Sequence, residues 1–254
     1  MGSVPNWVSL AFGIIAIIYS MVGFAGGSSY IALLSMCDVD RTLLPVIGLS
    51  CNLVVSLIGS WRFVTRQHYR GELLWPFVLG SVPMAMLGGW ITLSERAFFL
   101  VLSVALVASG IRLLLPSIAK EDHAERFIHP AAKVLLGGIL GLLAGMTGIG
   151  GGIFLSPLLL NLRVGRPQEV ACTAAMFIFI NSISGMIGQL SKGGMHVISE
   201  VPILLLTAVA IGGVIGSNIG SRSGTKPQNI VRVTGLLTVF VGVRLLWQKW
   251  SLLV

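Results

Sequence analysis

Two glycine-rich stretches hold the residues best suited to bind a ligand. Gly26-Gly27-Ser28-Ser29 lies early in the chain, and Gly148-Ile-Gly-Gly-Gly152 lies near its middle. The second belongs to a cluster of five glycines within 145–152, with apolar runs leading in and out. Three consecutive glycines destabilise a continuous helix by about 1 kcal/mol each, so a break is expected there. A half-helix that starts at such a break leaves up to four backbone N–H groups unpaired and carries about +0.5 charge. Glycine also permits close approach of a ligand and a positive φ. The chemistry expected is anion binding by main-chain amides, without any buried lysine or arginine. Half-helices beginning near Gly27 and Gly152 would place Gly26, Gly27, Ser28, Ser29, Gly150, Gly151 and Gly152 around the anion. Ser28 and Ser29 would add hydroxyl donors. Glycines can instead serve close helix packing. That explanation suits Gly137/Gly138/Gly141 and Gly212/Gly213/Gly216, and suits the triple run less well.

Asn52 and Asn181 come next. On a helix, Gly48, Asn52, Ser56 and Gly59 share a face, as do Phe177, Asn181, Ser184 and Gly188. An amide in lipid must face the protein interior. Two roles are open for the pair: flanking the anion and donating to it, or tying a helix to neighbouring backbone carbonyls. Proton relays in pumps use an intramembrane carboxylate or histidine. Glu72, Glu95, Glu169 and Glu200 all fall near segment ends, and His68, His123, His129 and His196 lie in or beside connections. No Ser/His or paired-carboxylate set lies at depth, so no catalytic residue, metal site or cofactor is expected. Cys37, Cys51 and Cys172 lack metal-type spacing and are expected to be free thiols.

The elements that must position these groups are membrane spans. The chain has 254 residues, 55% of them hydrophobic and only 10% charged, with a mean hydropathy of +0.92. A soluble globule carries about 25% charged residues. The net charge of +8 sits mostly between apolar runs, which suits membrane orientation and not nucleic acid. No cleavable leader is expected in the first residues, which carry no lysine or arginine. A span needs about 20 apolar residues. Candidates are 8–36, 43–64, 73–93, 97–115, 132–160, 170–190, 201–219 and 230–247.

A polar connection divides these segments into two membrane repeats, 1–116 and 132–254, separated by a loop at 117–131. The repeats align on their glycines. Gly23-Phe-Ala-Gly-Gly-Ser-Ser-Tyr-Ile-Ala-Leu-Leu34 lies over Gly148-Ile-Gly-Gly-Gly-Ile-Phe-Leu-Ser-Pro-Leu-Leu159, Asn52 over Asn181, and Arg112 over Arg244. Paired halves with a broken helix in each point to a transporter with its site at the repeat interface. If all eight segments cross, lysines and arginines divide 10 to 7 between the two sides. If 8–36 and 132–160 each dip in and return, the division becomes 12 to 5. The positive-inside rule favours the second arrangement, with inverted repeats, the richer side cytoplasmic and both ends outside. The fold class expected is an all-α polytopic membrane protein, each repeat having a glycine-broken or re-entrant first segment plus three spans.

With these motifs in place, the chain resembles the TauE/SafE sulfite exporter (TSUP) permeases. The resemblance rests on Gly148–Leu159 as quoted and on Ala171-Cys-Thr-Ala-Ala followed by Asn181, Ser182 and Gly185. It continues through Gly212-Gly-Val-Ile-Gly-Ser-Asn-Ile-Gly-Ser-Arg222 and through Arg232, Gly235 and Gly242-Val-Arg-Leu-Leu246. The first half departs from the pattern, with Ala32 where Pro157 stands in the second copy and Gly-Gly-Ser-Ser in place of a longer glycine run. The resemblance implies movement of a small sulfur-containing anion, such as sulfite, sulfoacetate or another organosulfonate, across the bacterial cytoplasmic membrane. An anion channel using the same half-helix ends is the alternative. The partners expected are the anionic substrate and the lipid bilayer.

Overall fold

A computed structural model describes residues 5–37, 39–40, 42–115, 128–161, 164–193, 200–222 and 227–248. Most of the expected inter-repeat loop lies outside them, with Lys120, Glu121, Asp122, His123, Glu125 and Arg126; so do Arg163, His196 and Lys226. The described residues form ten helices and no strand. In the first half these are α1 (Asn6–Ser20), α2 (Gly27–Ser35), α3 (Leu44–Thr65), α4 (Gly71–Trp90) and α5 (Glu95–Leu114). In the second they are α6 (Pro130–Thr147), α7 (Gly152–Asn161), α8 (Pro167–Gly193), α9 (Ile203–Gly220) and α10 (Pro227–Gln248). Six of them are long and apolar enough to cross a membrane. The chain is therefore an all-α, multi-pass membrane protein.

Local chemistry sets several boundaries. Pro130 opens α6, where the His129 ring nitrogen accepts from Ala131 N–H at 3.2 Å. Ser94 caps α5 by accepting from Ala97 N–H at 3.3 Å. The two broken segments stop and restart on glycines in the left-handed region. Gly26 has φ +89°, Gly148 +77°, Gly150 +82° and Gly151 +80°. Helix α6 runs on through Gly145 to Thr147, so the second break is confined to 148–151, shorter than the glycine cluster suggests.

Close approaches give the directions of the helices. Gly59 faces Ala175 and Gly185 faces Leu49, so α3 and α8 are antiparallel. Gly242 meets Val107 and Gly235 meets Leu113, so α5 and α10 are antiparallel too. Corresponding helices of the two halves thus run in opposite directions, and the repeats are inverted. Gly212, Gly216 and Gly220 pack in turn on Gly13, Ile17 and Met21, making α1 parallel to α9. Helix α9 is itself parallel to α3, with Gly213 beside Val55 and Asn218 bonded to Arg66. Because α1 and α3 point the same way, the α1–α2 segment returns to the side it left. The same holds in the second half: Gly137, Gly141 and Gly145 pack on Phe77, Ser81 and Ala85 of α4, and α4 runs parallel to α8 through Gly89 against Gly185. Exchanging α1–α5 for α6–α10 maps the main packing pairs onto one another: α1/α9 onto α6/α4, α3/α9 onto α8/α4, and α2/α3 onto α7/α8.

The outer surface is apolar. Leu10, Leu79 and Ile203 are 69%, 69% and 76% exposed, which only a lipid surround tolerates over so wide a belt. Exposed tryptophans sit at the helix ends, Trp61 and Trp75 toward one side, Trp7, Trp90 and Trp247 toward the other. The Trp61 side carries Arg62, Arg66, Arg70, Arg112, Lys133, Arg166, Arg222 and Arg232; the other carries Arg96, Lys192 and Arg244.

Two outcomes follow from this packing. A Cβ at Gly137 would overlap the Phe77 carbonyl and one at Gly212 the Gly13 carbonyl, whereas at neighbouring Gly138 and Gly213 it would meet only ordinary contacts at 3.5 Å. Gly137→Ala and Gly212→Ala are expected to destabilise by about 1–3 kcal/mol, with Gly138→Ala and Gly213→Ala near neutral, as read by thermal unfolding in detergent. Reporter fusions after Arg66 and within 117–127 are expected to report a cytoplasmic location; a periplasmic signal from both would reverse the orientation.

Candidate functional site

The two interrupted segments restart by the same device. Ser29 and Tyr30 N–H donate to the Gly26 carbonyl at 3.0 and 3.1 Å, as Phe154 and Leu155 N–H do to the Gly151 carbonyl at 3.1 and 3.3 Å. The N–H groups just ahead of these bonds, on Gly27, Ser28, Gly152 and Ile153, find no acceptor among the described residues. Half-helices therefore begin at Gly27 and Gly152, where the glycine pattern puts them. Each of those starts concentrates the positive end of a helix dipole.

Asn52, midway along α3 and fully buried, draws the two breaks together. Its Nδ2 donates to the Gly148 carbonyl at 3.2 Å, across the repeat interface. A Cβ at Gly27 would collide with the same amide, and one at Gly150 would lie 3.0 Å from Asn52 Nδ2 and 3.1 Å from Ser182 Oγ. Gly27, Asn52, Gly148, Gly150 and Ser182 thus share one centre, fed from both halves. The α3 stripe expected from the sequence faces this interface along its length. Gly48 abuts the Gly148 carbonyl, Ser56 Oγ donates to the Asn52 carbonyl at 2.5 Å, and Gly59 meets Ala175.

The α8 stripe does not mirror it. Asn181, also fully buried, donates from Nδ2 to the Phe177 carbonyl of its own helix at 2.8 Å. Ser184 donates to the Ile180 carbonyl, and Gly188 packs on Met86 and Trp90 of α4. Ser182, one residue on from Asn181, is the α8 side chain turned toward the Gly150 break. The pairing of Asn181 with Asn52 in the sequence conceals this shift of about 100° around the helix.

Ser29 also departs from expectation. Its Oγ lies 2.8 Å from Tyr19 Oη, which lies 3.0 Å from Thr238 Oγ1. Thr238 gives its own proton to the Thr234 carbonyl at 2.7 Å. Tyr19 must then donate to Thr238, and Ser29 to Tyr19. The Ser29 proton is committed to this chain and is not a donor to a ligand, because a hydroxyl has one hydrogen. Tyr19 and Thr238 carry no signal in the sequence beyond being polar within apolar runs; they tie α1, α2 and α10 together behind the first break.

All buried polar side chains among the described residues are neutral: serine, threonine, asparagine and glutamine, with the hydroxyls of Tyr19 and Tyr30. Charge gathers instead at one membrane edge, where Arg70 pairs with Glu169 at 3.5 Å and Arg66 donates to Asn218 Oδ1 at 3.1 Å. At the centre, only dipoles are available to meet a charged ligand. Four buried oxygens there or nearby have no partner: Tyr30 Oη, Asn52 Oδ1, Asn181 Oδ1 and Ser182 Oγ.

Comparison with known proteins agrees with this architecture. The family described as Sulfite exporter TauE/SafE matches residues 8–245. The chain is 33% identical to the "Probable membrane transporter protein y4hK" of Sinorhizobium fredii (strain NBRC 101917 / NGR234), over 94% of this chain and 97% of that one. It is 21% identical to the "Probable membrane transporter protein YunE" of Bacillus subtilis (strain 168), over 95% and 97%. A "Probable membrane transporter protein" of Xylella fastidiosa (strain Temecula1 / ATCC 700964) is 22% identical over 92% and 94%. No solved structure matches the chain. Two inverted, glycine-broken repeats and a match along almost the whole length place the protein in the TauE/SafE sulfite exporter family of membrane transporters.

Proposed function

We propose that the protein is a permease that moves a small sulfur-containing anion, such as sulfite, sulfoacetate or another organosulfonate, across the cytoplasmic membrane by alternating access. The observation that carries this reading is the meeting of two half-helix starts, with unpaired N–H groups, around Asn52 at a depth where no charged side chain among the described residues is buried. Two positive dipole ends facing one centre stabilise negative charge without a permanent cation that would bind too tightly to release. Gly26, Gly27, Ser28, Gly150, Gly151 and Gly152 would hold the anion through main-chain donors, with Asn52 at its flank. Asn181 and Ser29 would act from behind this contact layer, Asn181 by holding α8 and Ser29 by holding α2.

The packing supports a moving-bundle mechanism. Helices α1, α3 and α9 form one group and α4, α6 and α8 the other, each built from both halves. Rocking one group against the other about the α3/α8 contact would open the centre to each side in turn. The reaction is passage across the membrane, with no bond made or broken in the anion.

Gly151 tests the assignment. Its φ of +80° disfavours any L side chain, and a Cβ there would meet the Phe177 ring at 3.0 Å and Ala144 at 3.1 Å. Gly151→Leu is expected to lower sulfite flux into proteoliposomes at least tenfold while the purified protein stays folded and monodisperse. Unchanged flux would remove the glycine break from the transport path. Saturation of wild-type flux with substrate concentration is expected of a carrier; flux that rises linearly with concentration would favour a channel.

A further inference from the structure

We propose that, of the sulfur-containing anions considered above, the centre takes those that bring their own hydrogen-bond donor: a monoanion with an O–H or N–H beside its charged oxygens, such as hydrogen sulfite, and not one that presents acceptors alone, such as fully ionised sulfoacetate. The inference rests on the preceding reading that an anion binds between the half-helix starts.

It follows from which groups at the centre still have hydrogens to give. The Asn52 amide cannot be turned around. With Nδ2 on the Gly148 carbonyl, Oδ1 faces the other way; reversing the amide would set two acceptors against each other with no proton between them. Asn181 is fixed in the same sense by the Phe177 carbonyl. The Ser29 hydrogen belongs to the chain that runs through Tyr19 to Thr238. What the centre presents is therefore divided by type. The main chain offers donors at Gly27, Ser28, Gly152 and Ile153, the unpartnered hydroxyls Tyr30 Oη and Ser182 Oγ can donate or accept, and the unpartnered Asn52 Oδ1 can only accept. The Asn52 and Ser182 side chains are wholly buried; Ser182 Oγ and the Asn52 amide nitrogen border Gly150, and Asn52 Oδ1 faces Gly27.

A buried acceptor left without a hydrogen loses its hydration and regains nothing. An ion such as sulfate satisfies the N–H groups but turns lone pairs toward Asn52 Oδ1, adding repulsion to that loss. A monoanion bearing a hydrogen satisfies both sets at once, its charged oxygens on the amides and its hydrogen on Asn52 or Ser182. Such a site discriminates sharply, because the wrong ligand leaves polar groups of the protein unpaired.

Sulfamate and methanesulfonate make the cleanest test: both are monoanionic sulfonates of nearly equal size, differing in NH2 against CH3. Calorimetric titration of the intact, detergent-purified protein at neutral pH is expected to show sulfamate binding at least tenfold more tightly than methanesulfonate. Asn52→Leu removes the acceptor and should bring the ratio toward one. Ser182→Ala removes a hydroxyl that bonds nothing in the protein, so it should fold as the wild type does and still reduce the ratio. Equal affinity of wild type for the two anions, or a ratio undiminished in every variant that folds, overturns the donor requirement and leaves the anion site standing. If folded wild-type protein binds neither anion, the anion site itself fails, and this inference with it.

Discussion

A main-chain N–H inside a bilayer has no water to bond, and leaving it unpaired there costs several kcal/mol. Most of this fold obeys that constraint by being helix from one membrane face to the other. Two segments do not, and everything around them is arranged to make that tolerable. Each break is enclosed by helices from the opposite half: Gly23 lies against the Ala171 carbonyl of α8, and Gly148 against Pro45 of α3. Exposed amides are thereby kept from lipid and gathered at the interface between repeats, the place where a ligand could replace the missing partners.

That enclosure depends on glycine used in a second way. The parallel pairs α1/α9 and α4/α6 approach so closely that carbonyls of one helix occupy the space where side chains of the other would stand. Such contact is available only to small residues, and in lipid it supplies the packing that a hydrophobic driving force cannot. The glycines of the breaks and those of the contacts serve one end, because the first half-helix of each re-entrant segment is held by the close-packed pair. A side chain inserted at Gly212 or Gly137 would shift the half-helix that leads into a break.

The two half-sites are not equivalent, although the topology is. Tyr19, Ser29 and Tyr30 line the first break, whereas the aligned positions of the second carry Ala144, Phe154 and Leu155. Asn52 bridges to the other half, and Asn181 does not. A symmetric scaffold with an asymmetric lining gives a ligand one polar side and one apolar side. It also lets the two half-helices differ in rigidity, since the Tyr19 hydrogen-bond chain anchors only α2 to α10.

Much of this was legible from residue types and spacing. Apolar run length picked out eight candidate membrane segments, because the bilayer sets a minimum length for any span, and six of the helices are long and apolar enough to cross. The glycine clusters determined where two of them break, and the half-helices do begin at Gly27 and Gly152. The distribution of lysine and arginine already favoured inverted repeats, since charge avoids crossing the membrane during insertion. Side-chain pairing was another matter. Nothing local distinguishes Asn52 from Asn181, or assigns Ser182 and not Ser184 to the centre, because the rotation of α8 about its axis is set by α3, α4 and α7 together. The direction of the Ser29 hydrogen likewise depends on Thr238, 209 positions away in the chain, and on which carbonyl Thr238 already serves. Sequence determined what could be broken and where; only the packed tertiary structure decided which hydrogens were left to give, because each hydroxyl proton goes to the neighbour that folding brings beside it.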